Sequence, residues 1–146
     1  RLRCDWSSDV CSSDLRIMNA LEVGQKLVEL VNAGRESEAS FVTDYYDDNV
    51  VSIEGGGDGA EGSGPPPRME GIDAIRGKHE WWYDNNEVHG TTASGPYVGH
   101  RDDQFIVRFV MDMTPKDGDR MQMDEVGLFT VANGKVVQEE YLYLMG

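Results

Sequence analysis

The chain has 146 residues and a formal net charge of -14 at pH 7. This length fits one domain. An acidic surface repels the phosphates of nucleic acids and of anionic lipids, so neither is an expected partner. No apolar run approaches the roughly 18 residues that a membrane-spanning helix needs, and the sequence therefore predicts no membrane span.

The beginning of the chain differs in composition from the rest. It reads RLRCDWSSDVCSSDL, is rich in serine and aspartate, and shows neither helical nor strand periodicity. Residues 5–15 resemble the conceptual translation of a sequencing-adaptor oligonucleotide. We therefore interpret residues 1–17 as a non-native or disordered segment and residues 18–146 as a single domain. Both cysteines, Cys4 and Cys11, lie in the first segment, and a cysteine-free domain is expected in the cytoplasm.

Apolar spacing, caps and turn residues predict three helices and five strands. The helices cover residues 19–33, 36–46 and 71–85, and the strands cover residues 50–54, 87–98, 104–114, 120–131 and 135–144. Phe105, Val107 and Phe109 alternate along the third of these strands, as expected when one face is buried. Asn133 and Gly134 give a strong tight-turn signal before the last strand.

Residues 55–67 form a loop rich in glycine and proline. A phosphate-binding loop would end in Gly-Lys-Ser or Gly-Lys-Thr, whose lysine and hydroxyl contact phosphate and magnesium, and this ending is missing. We expect a flexible loop that could act as a lid.

The order of elements predicts an α+β domain in which three N-terminal helices pack on a curved antiparallel sheet. The helices have no other surface on which to bury their apolar stripes, so we expect them to cover one face of the sheet. A curved sheet closed by helices in this way leaves a conical cavity.

Four segments of the domain follow a recognisable pattern. They are LVELVNAG at 27–34, YDDNVVSIE at 46–54, PR with GIDAIR at 67–76, and GKVV with EEYLY at 134–143. Together they resemble the SnoaL-like, ketosteroid-isomerase-like branch of the nuclear-transport-factor-2-like (NTF2-like) superfamily. The resemblance implies a cone-shaped fold and a homodimer formed through the outer face of the sheet. Val126, Leu128 and Leu142 would supply the apolar centre of that face.

The family layout, combined with the alternation of side chains along strands, predicts which residues face the cavity. The predicted inward residues are Ser52, Glu54, Met121, Met123, Glu125, Gly127, Glu139, Tyr141 and Tyr143. The alternate positions on the same strands, such as Asp124 and Val126, are expected to point outward.

The resemblance implies that Glu54 is a catalytic base, because it occupies the position of the base in ketosteroid-isomerase-like enzymes. Partial burial would raise the pKa of this carboxyl toward a value useful for removing a proton next to a carbonyl. The family's usual hydrogen-bond donors to the developing oxygen are absent. Leu27 stands where the family has a tyrosine, and the family's protonated aspartate falls near Met123 or Asp124.

Glu139, Tyr141 and Tyr143 are the candidate donors in place of that missing pair. We interpret Glu54, Glu139 and Tyr141 as the catalytic residues. The predicted substrate-binding residues are Ser52, His79, Trp82, Met123, Glu125 and Tyr143. The three histidines show no metal-binding spacing, and no metal or other cofactor is assigned.

Two arrangements are open for the predicted inward carboxyls Glu125 and Glu139. They could form a buried pair that shares one proton. Alternatively, one or both could contact Arg76, Arg108, His79 or a tyrosine hydroxyl in a structural network, since buried glutamates are rare unless paired. His79 itself could serve as an acid or base, or pack as part of the helix face.

Two functional hypotheses follow. The first is a cofactor-independent isomerase, cyclase or hydratase-type enzyme that binds a small, mostly apolar carbonyl compound and uses a carboxylate base. The second is a non-catalytic ligand-binding or dimerisation module, in which the inward carboxyls are structural. The fold alone cannot choose between them, because one fold hosts many functions.

Overall fold

The computed structural model describes residues 16–55 and 66–143. The chain forms α1 (Ala20–Ala33), α2 (Arg35–Tyr45), β1 (Tyr46–Glu54), β2 (Arg68–Glu70), α3 (Ile72–Asn85), β3 (Asn86–Tyr97), β4 (Gln104–Pro115), β5 (Met121–Ala132) and β6 (Lys135–Tyr143). The predicted α+β class is confirmed. Most of the predicted loop at 55–67 lies outside the described residues, as do 1–15 and 144–146.

The strands form one six-stranded sheet in the order β2-β1-β6-β5-β4-β3. Strands β3 to β6 make the expected antiparallel meander. However, β1 pairs with β6 in parallel, so the prediction of an antiparallel sheet is wrong at this pairing. A parallel neighbour needs a long crossover, and the chain between β1 and β6 supplies it. The third helix also follows two strands instead of preceding the sheet.

Strand β2 is absent from the sequence prediction. It has only three residues, and it pairs antiparallel with the end of β1, with Ser52 opposite Met69. Met69 is buried, whereas Arg68 and Glu70 are exposed. Three residues give too short an alternation for a pattern to be recognised in the sequence.

The ends of α1 follow from local hydrogen bonding. The side chain of Asn19 accepts a hydrogen bond from the backbone N–H of Glu22 at 2.9 Å, which caps the first turn. Gly34 ends the helix with φ of 117°, a conformation that favours glycine. Helix α2 starts immediately afterwards, so this one glycine allows the chain to change direction between two helices.

The hydrophobic core lies between the helices and one face of the sheet. Val23 on α1, Phe41 on α2 and Ile75 on α3 are almost completely buried. They pack with residues of the meander such as Phe105 and Phe129, whose rings stack with centroids 5.0 Å apart. The helices therefore cover one face, as expected. None of the helices in the described ranges is long and apolar enough to cross a membrane.

Strand β1 begins earlier than the sequence predicts. Residues 47–49 were expected to break the chain between helix and strand. Instead, the Asp47 side chain accepts a hydrogen bond from the backbone N–H of Asn49 at 2.9 Å inside the strand. The register with β6 shifts between Tyr46 and Val51 around this local turn. As a result, Tyr46 is a buried strand residue and not the last residue of α2.

Candidate active site

The candidate site is a cavity of about 230 Å³ between the helices and the inner face of the sheet. Aromatic and aliphatic side chains, including Phe41, Trp82 and Phe109, form most of its wall. Its polar groups come mainly from α3 and from the neighbouring strands β1, β6 and β5. A largely apolar cavity with a few convergent polar groups is typical of a small-molecule site.

Lys78 on α3 connects these polar groups. Its ammonium donates hydrogen bonds to Ser52 Oγ at 2.8 Å, Glu139 Oε1 at 2.8 Å and Glu54 Oε1 at 2.9 Å. An ammonium has three N–H groups, so all of them are used. Burial alone lowers the pKa of Lys78, but the Glu139 and Glu54 carboxylates outweigh this effect and the pKa is raised. Lys78 is therefore a cation at neutral pH.

Glu139 on β6 is the most enclosed carboxyl, with no exposed surface. It accepts hydrogen bonds from Ser52 Oγ at 2.8 Å, from the Tyr141 hydroxyl at 2.9 Å, from Lys78, and from the Tyr46 hydroxyl. Burial alone raises the pKa of Glu139, but the Lys78 ammonium and these hydrogen bonds lower it to about 2. Glu139 is therefore an ionised group with four donors around it.

Glu54 ends β1 and lines the cavity. Its Oε1 accepts the hydrogen bond from Lys78, and its Oε2 accepts one from the Tyr143 hydroxyl. The side chain keeps 21% of its surface exposed, unlike that of Glu139. A carboxylate has about four lone-pair sites, so these two bonds leave acceptor capacity on the cavity side.

Glu125 on β5 is the third carboxyl of the site. It lies opposite Tyr143 in the sheet and is 9% exposed. The three hydrogen bonds of Lys78 go to Ser52, Glu54 and Glu139. Burial raises the pKa of Glu125 to about 8, and the nearby Glu54 carboxylate adds to the rise. Glu125 is therefore mostly a neutral carboxylic acid at pH 7, with a proton to donate.

The two tyrosines of β6, Tyr141 and Tyr143, both donate their hydroxyl protons to carboxyl groups of the site. The Tyr141 hydroxyl donates to Glu139, and the Tyr143 hydroxyl donates to Glu54 while also interacting with Glu125. Burial raises the pKa of both phenols well above the ordinary range, with neighbouring carboxyls adding to the effect. Both phenols therefore stay neutral and help to hold the carboxylates in place.

The structure brings most of the predicted site residues together. One hydrogen-bonded network contains Ser52, Glu54, Glu139, Tyr141 and Tyr143. The other predicted residues, His79, Trp82, Met123 and Glu125, line the same cavity.

Two other predicted positions, Met121 and Leu27, differ from the rest of the site in what the structure shows of them. Met121 was expected to face inward but is 48% exposed at the start of β5, because only the later part of the strand is covered. Leu27, at the position where the resemblance implies a tyrosine, lines the apolar wall. Among the described residues, no group of three or more His, Cys, Asp or Glu side chains is arranged to hold a metal ion.

A proton-sharing pair of Glu125 and Glu139 does not form. The two residues share a face of neighbouring strands, but the register places Glu139 opposite Phe129, four positions from Glu125. Of the two arrangements that the sequence left open, the structural network applies to Glu139, which contacts two tyrosine hydroxyls. Of the expected basic partners, Arg108 instead pairs with Asp124 on the outer face.

Lys78 and Tyr46 were missed by the sequence analysis. Lys78 lies three residues after the buried Ile75, so it is on the inward side of α3 beside His79. The signal was available: several predicted inward glutamates required a cation, and Lys78 is at helical spacing from the core stripe. Tyr46 was assigned to a helix end, which concealed its position on the strand next to β6.

Comparison with known proteins agrees with this architecture. The family model of the SnoaL-like domain matches residues 18–143. A crystal structure from Mesorhizobium loti, described as a candidate SnoaL-like polyketide cyclase, is similar with a TM-score of 0.71 and 41% sequence identity. The match covers 84% of this chain and 97% of that one. No curated protein sequence matches the chain.

More distant structures share the fold. A candidate isomerase from Bacillus subtilis has a TM-score of 0.65 at 20% identity, with 86% of each chain covered. A protein with a ketosteroid-isomerase-like fold from Catenulispora acidiphila, in complex with trimethylamine, has a TM-score of 0.60 at 12% identity. That match covers 86% of this chain and 88% of the other. On the family match and the 41% identity, the chain belongs to the SnoaL-like domain family of NTF2-like fold.

Proposed function

We propose that this domain is a cofactor-independent acid–base enzyme that binds a small, mostly apolar carbonyl compound in a conical pocket. One observation carries the proposal: two carboxyl groups, Glu54 and Glu125, face one cavity, and Tyr143 donates a hydrogen bond to the first and lies opposite the second in the sheet. Burial raises the pKa of Glu125 to about 8, so this group is mostly protonated at pH 7. Two carboxyl groups held in different protonation states are the usual means by which one site supplies both a base and an acid.

Glu54 is the proposed base. It would remove a proton from the carbon next to the substrate carbonyl, and the electron pair of the broken C–H bond would move to the carbonyl oxygen. Glu125 would donate a hydrogen bond to that oxygen and stabilise the developing enolate. Return of the proton from Glu54 to another carbon would complete an isomerisation. Alternatively, the enolate carbon would attack a second carbonyl of the same molecule, which forms a C–C bond and breaks the C–O π bond of that carbonyl. The resulting alkoxide would take up the proton held by Glu54, and this would complete a cyclisation.

The acid role falls to Glu125 because the other candidate donors are occupied. Glu139 is ionised and has no proton to give. The Tyr141 proton is committed to Glu139, and the Tyr143 proton is committed to Glu54. We therefore assign Glu139 and Tyr141, which the sequence suggested as catalytic, to positioning: they hold Lys78, which holds Glu54.

The test follows exchange of the protons next to a carbonyl. The probe is α-tetralone, a bicyclic ketone, incubated in deuterated buffer near neutral pH and followed by NMR. We expect the wild-type protein to accelerate exchange. Glu54→Gln should reduce the acceleration by about 10²- to 10⁴-fold, and Glu125→Met by about 10²- to 10³-fold. Glu125→Gln should lose less, because an amide still donates a hydrogen bond.

Glu140→Gln is the matched control, since Glu140 neighbours Glu139 but points to the opposite face of β6. It should exchange at the wild-type rate. Binding of the ketone with no acceleration of exchange would contradict catalysis and would favour the non-catalytic module. Acceleration that survives Glu54→Gln would exclude Glu54 as the base.

The homodimer remains a proposal that concerns the outer face of the sheet. Leu142 is 46% exposed in the single chain, Val126 lies opposite it in the register, and Leu128 lies two residues further along β5, opposite Glu140. No described helix covers this face, because the helices pack on the other side. Analytical ultracentrifugation should give a dimer for the wild type and a monomer for Leu142→Glu; a wild-type monomer would contradict the proposal.

The expected cytoplasmic location also remains a prediction, based on the cysteine-free domain.

A further inference from the structure

The charges around the cavity set what it can bind, a property separate from its chemistry. Three carboxyl side chains line it: Glu38, Glu54 and Glu125. Among the described lining residues, Lys78 is the only lysine or arginine. Each of its three N–H groups already has an acceptor. An anionic ligand would therefore find no unused ammonium or guanidinium on the cavity wall.

The remaining described residues of the wall add no further lysine or arginine. Glu38 on α2 accepts a hydrogen bond from the Tyr83 hydroxyl on α3 at 2.9 Å. The Arg35 guanidinium packs over the Tyr83 ring, 3.9 Å from its centroid, and is not part of the cavity wall. The imidazole of His79 is the remaining nitrogen side chain on the wall besides the two tryptophans. The carboxyls thus outnumber the cations along the wall.

The cavity volume limits the size of the ligand. An apolar cavity of about 150 Å³ holds one benzene ring. By simple scaling, a cavity of about 230 Å³ holds about ten non-hydrogen atoms. This corresponds to one ring with substituents or to two fused rings, and a compound of four fused rings would extend beyond this volume.

We infer that the cavity selects an uncharged carbonyl compound of one or two rings and rejects analogues that carry a carboxylate or phosphate. This inference names the substrate class for the proposed function and rests on it for the carbonyl group. An anion would lose its hydration on entering and would meet the Glu54 and Glu38 carboxylates instead of a counter-charge. A neutral ketone loses little hydration and can accept the hydrogen bond from Glu125.

The test compares matched ligands by calorimetry at pH 7. The ligands are α-tetralone, the same bicycle with a carboxylate on its aromatic ring, and the corresponding carboxamide, which has the size of the carboxylate without its charge. A four-ring ketone tests the size limit. We expect the uncharged bicycle to bind at least about tenfold more tightly than its carboxylate, since like charges held together are strongly unfavourable. The four-ring ketone should show no binding.

Glu54→Gln sharpens the test. This substitution removes one negative charge from the wall and retains an oxygen that can accept a hydrogen bond from Lys78. It should therefore reduce the ratio of the affinities for the uncharged bicycle and its carboxylate by about threefold or more. Asp124→Asn makes the same change of charge on the outer face, next to Arg108, and should leave the discrimination unchanged. Should Glu54→Gln unfold the domain, Glu38→Gln replaces it.

The outcomes separate this inference from the proposed function. Equal binding of the ketone and its carboxylate, or tight binding of the four-ring ketone, would overturn the inference, even if exchange is catalysed. Selective binding of the uncharged bicycle without catalysed exchange would support the inference and contradict the enzyme.

Discussion

Glu139 and Glu125 lie on the same face of neighbouring strands and are both buried, yet their environments are opposite. Four donors, including the Lys78 ammonium, surround Glu139, and its pKa falls to about 2. Lys78 donates its hydrogen bonds to other acceptors, so its attraction only partly offsets the burial of Glu125, whose pKa rises to about 8. Burial alone therefore does not decide whether a carboxyl is charged; the groups placed around it do.

This comparison also separates a structural part of the site from a chemical part. The donors around Glu139 are already hydrogen-bonded to it, so this network stabilises the fold. Through Lys78 it also holds Glu54 in position. On the cavity side, Glu54 retains a lone pair that can accept a proton, and Glu125 retains a proton that it can donate. Substitutions should consequently affect stability at the first part and activity at the second.

The largest expected difference comes from replacing the two glutamates in parallel. Glu139→Gln should lower the free energy of unfolding by about 3–5 kcal/mol, because it breaks a buried ion pair and points an amide N–H at existing donors. Glu125→Gln should instead raise it by up to about 3 kcal/mol at pH 7, because Glu125 must take up a proton on folding and an amide need not. Near pH 4.5 the variant and the wild type should differ by less than about 1 kcal/mol, because an amide resembles a neutral acid. Urea unfolding measures both. Equal losses would mean that the two carboxyls are in the same charge state.

Removing the cation should weaken the same network from its other side. Lys78→Met should lower the free energy of unfolding by about 3 kcal/mol, since it leaves Glu139 ionised and buried without its counter-charge. Arg76→Met, two residues earlier on α3, is the control, because Arg76 is exposed and Asp73 is its one ion-pair partner within residues 16–55 and 66–143. Its unfolding midpoint in urea should stay near that of the wild type. A harmless Lys78→Met would show that Lys78 is not the main partner of Glu139.

Stability should depend on pH in opposite directions for the two carboxyls. Unfolded glutamate titrates near 4.5, whereas folded Glu125 titrates near about 8. Between these values the folded state holds a proton that the unfolded state has released. The free energy of unfolding should therefore fall as the pH rises, by up to about 1.4 kcal/mol per pH unit.

For Glu139 the sign is reversed, because its folded pKa lies below the unfolded value. Its contribution is complete above pH 4.5 and is lost as the pH falls toward about 2. Urea unfolding between pH 5 and about 8 checks the first window, and Glu125→Gln should flatten the curve there. A curve that keeps its slope in Glu125→Gln would assign the pH dependence to another group.

The smallest effect on stability is expected for Ser52, whose hydroxyl accepts a hydrogen bond from Lys78 and donates one to Glu139. Ser52→Ala should lower the free energy of unfolding by about 1–2 kcal/mol, the usual range for a buried hydrogen-bonded group. Ser94→Ala on β3 is the control, since Ser94 makes no side-chain hydrogen bond within the described ranges. A larger loss than for Lys78→Met would reverse the order of importance in the network.

Much of this molecule could be predicted from the sequence, because its elements have strong local signals. Asn19, Gly34 and the Asn133–Gly134 turn mark the ends of elements, and the alternating residues of β4 mark the meander. The parallel pairing of β1 with β6 could not be derived, because it joins distant parts of the chain and has no local signature.

The candidate site was predicted less completely, for a different physical reason. The family resemblance, together with strand alternation, predicted the facing of Glu54, Glu125 and Glu139, but neither predicts their charge. The pKa values depend on where Lys78 points and on how far apart two residues of different strands lie. Both depend on tertiary packing, so the different states of the carboxyls emerge only from the structure.

The most direct test of the contrast is carboxyl titration by carbon-13 NMR with labelled glutamate, assigned with Glu125→Gln and Glu139→Gln. The expected result is that the Glu125 carboxyl carbon titrates near pH 8, while that of Glu139 stays in its ionised position down to the lowest pH at which the protein is folded. Titration of both carboxyls near 4.5, as in an unfolded chain, would contradict the acid role of Glu125 and with it the proposed mechanism.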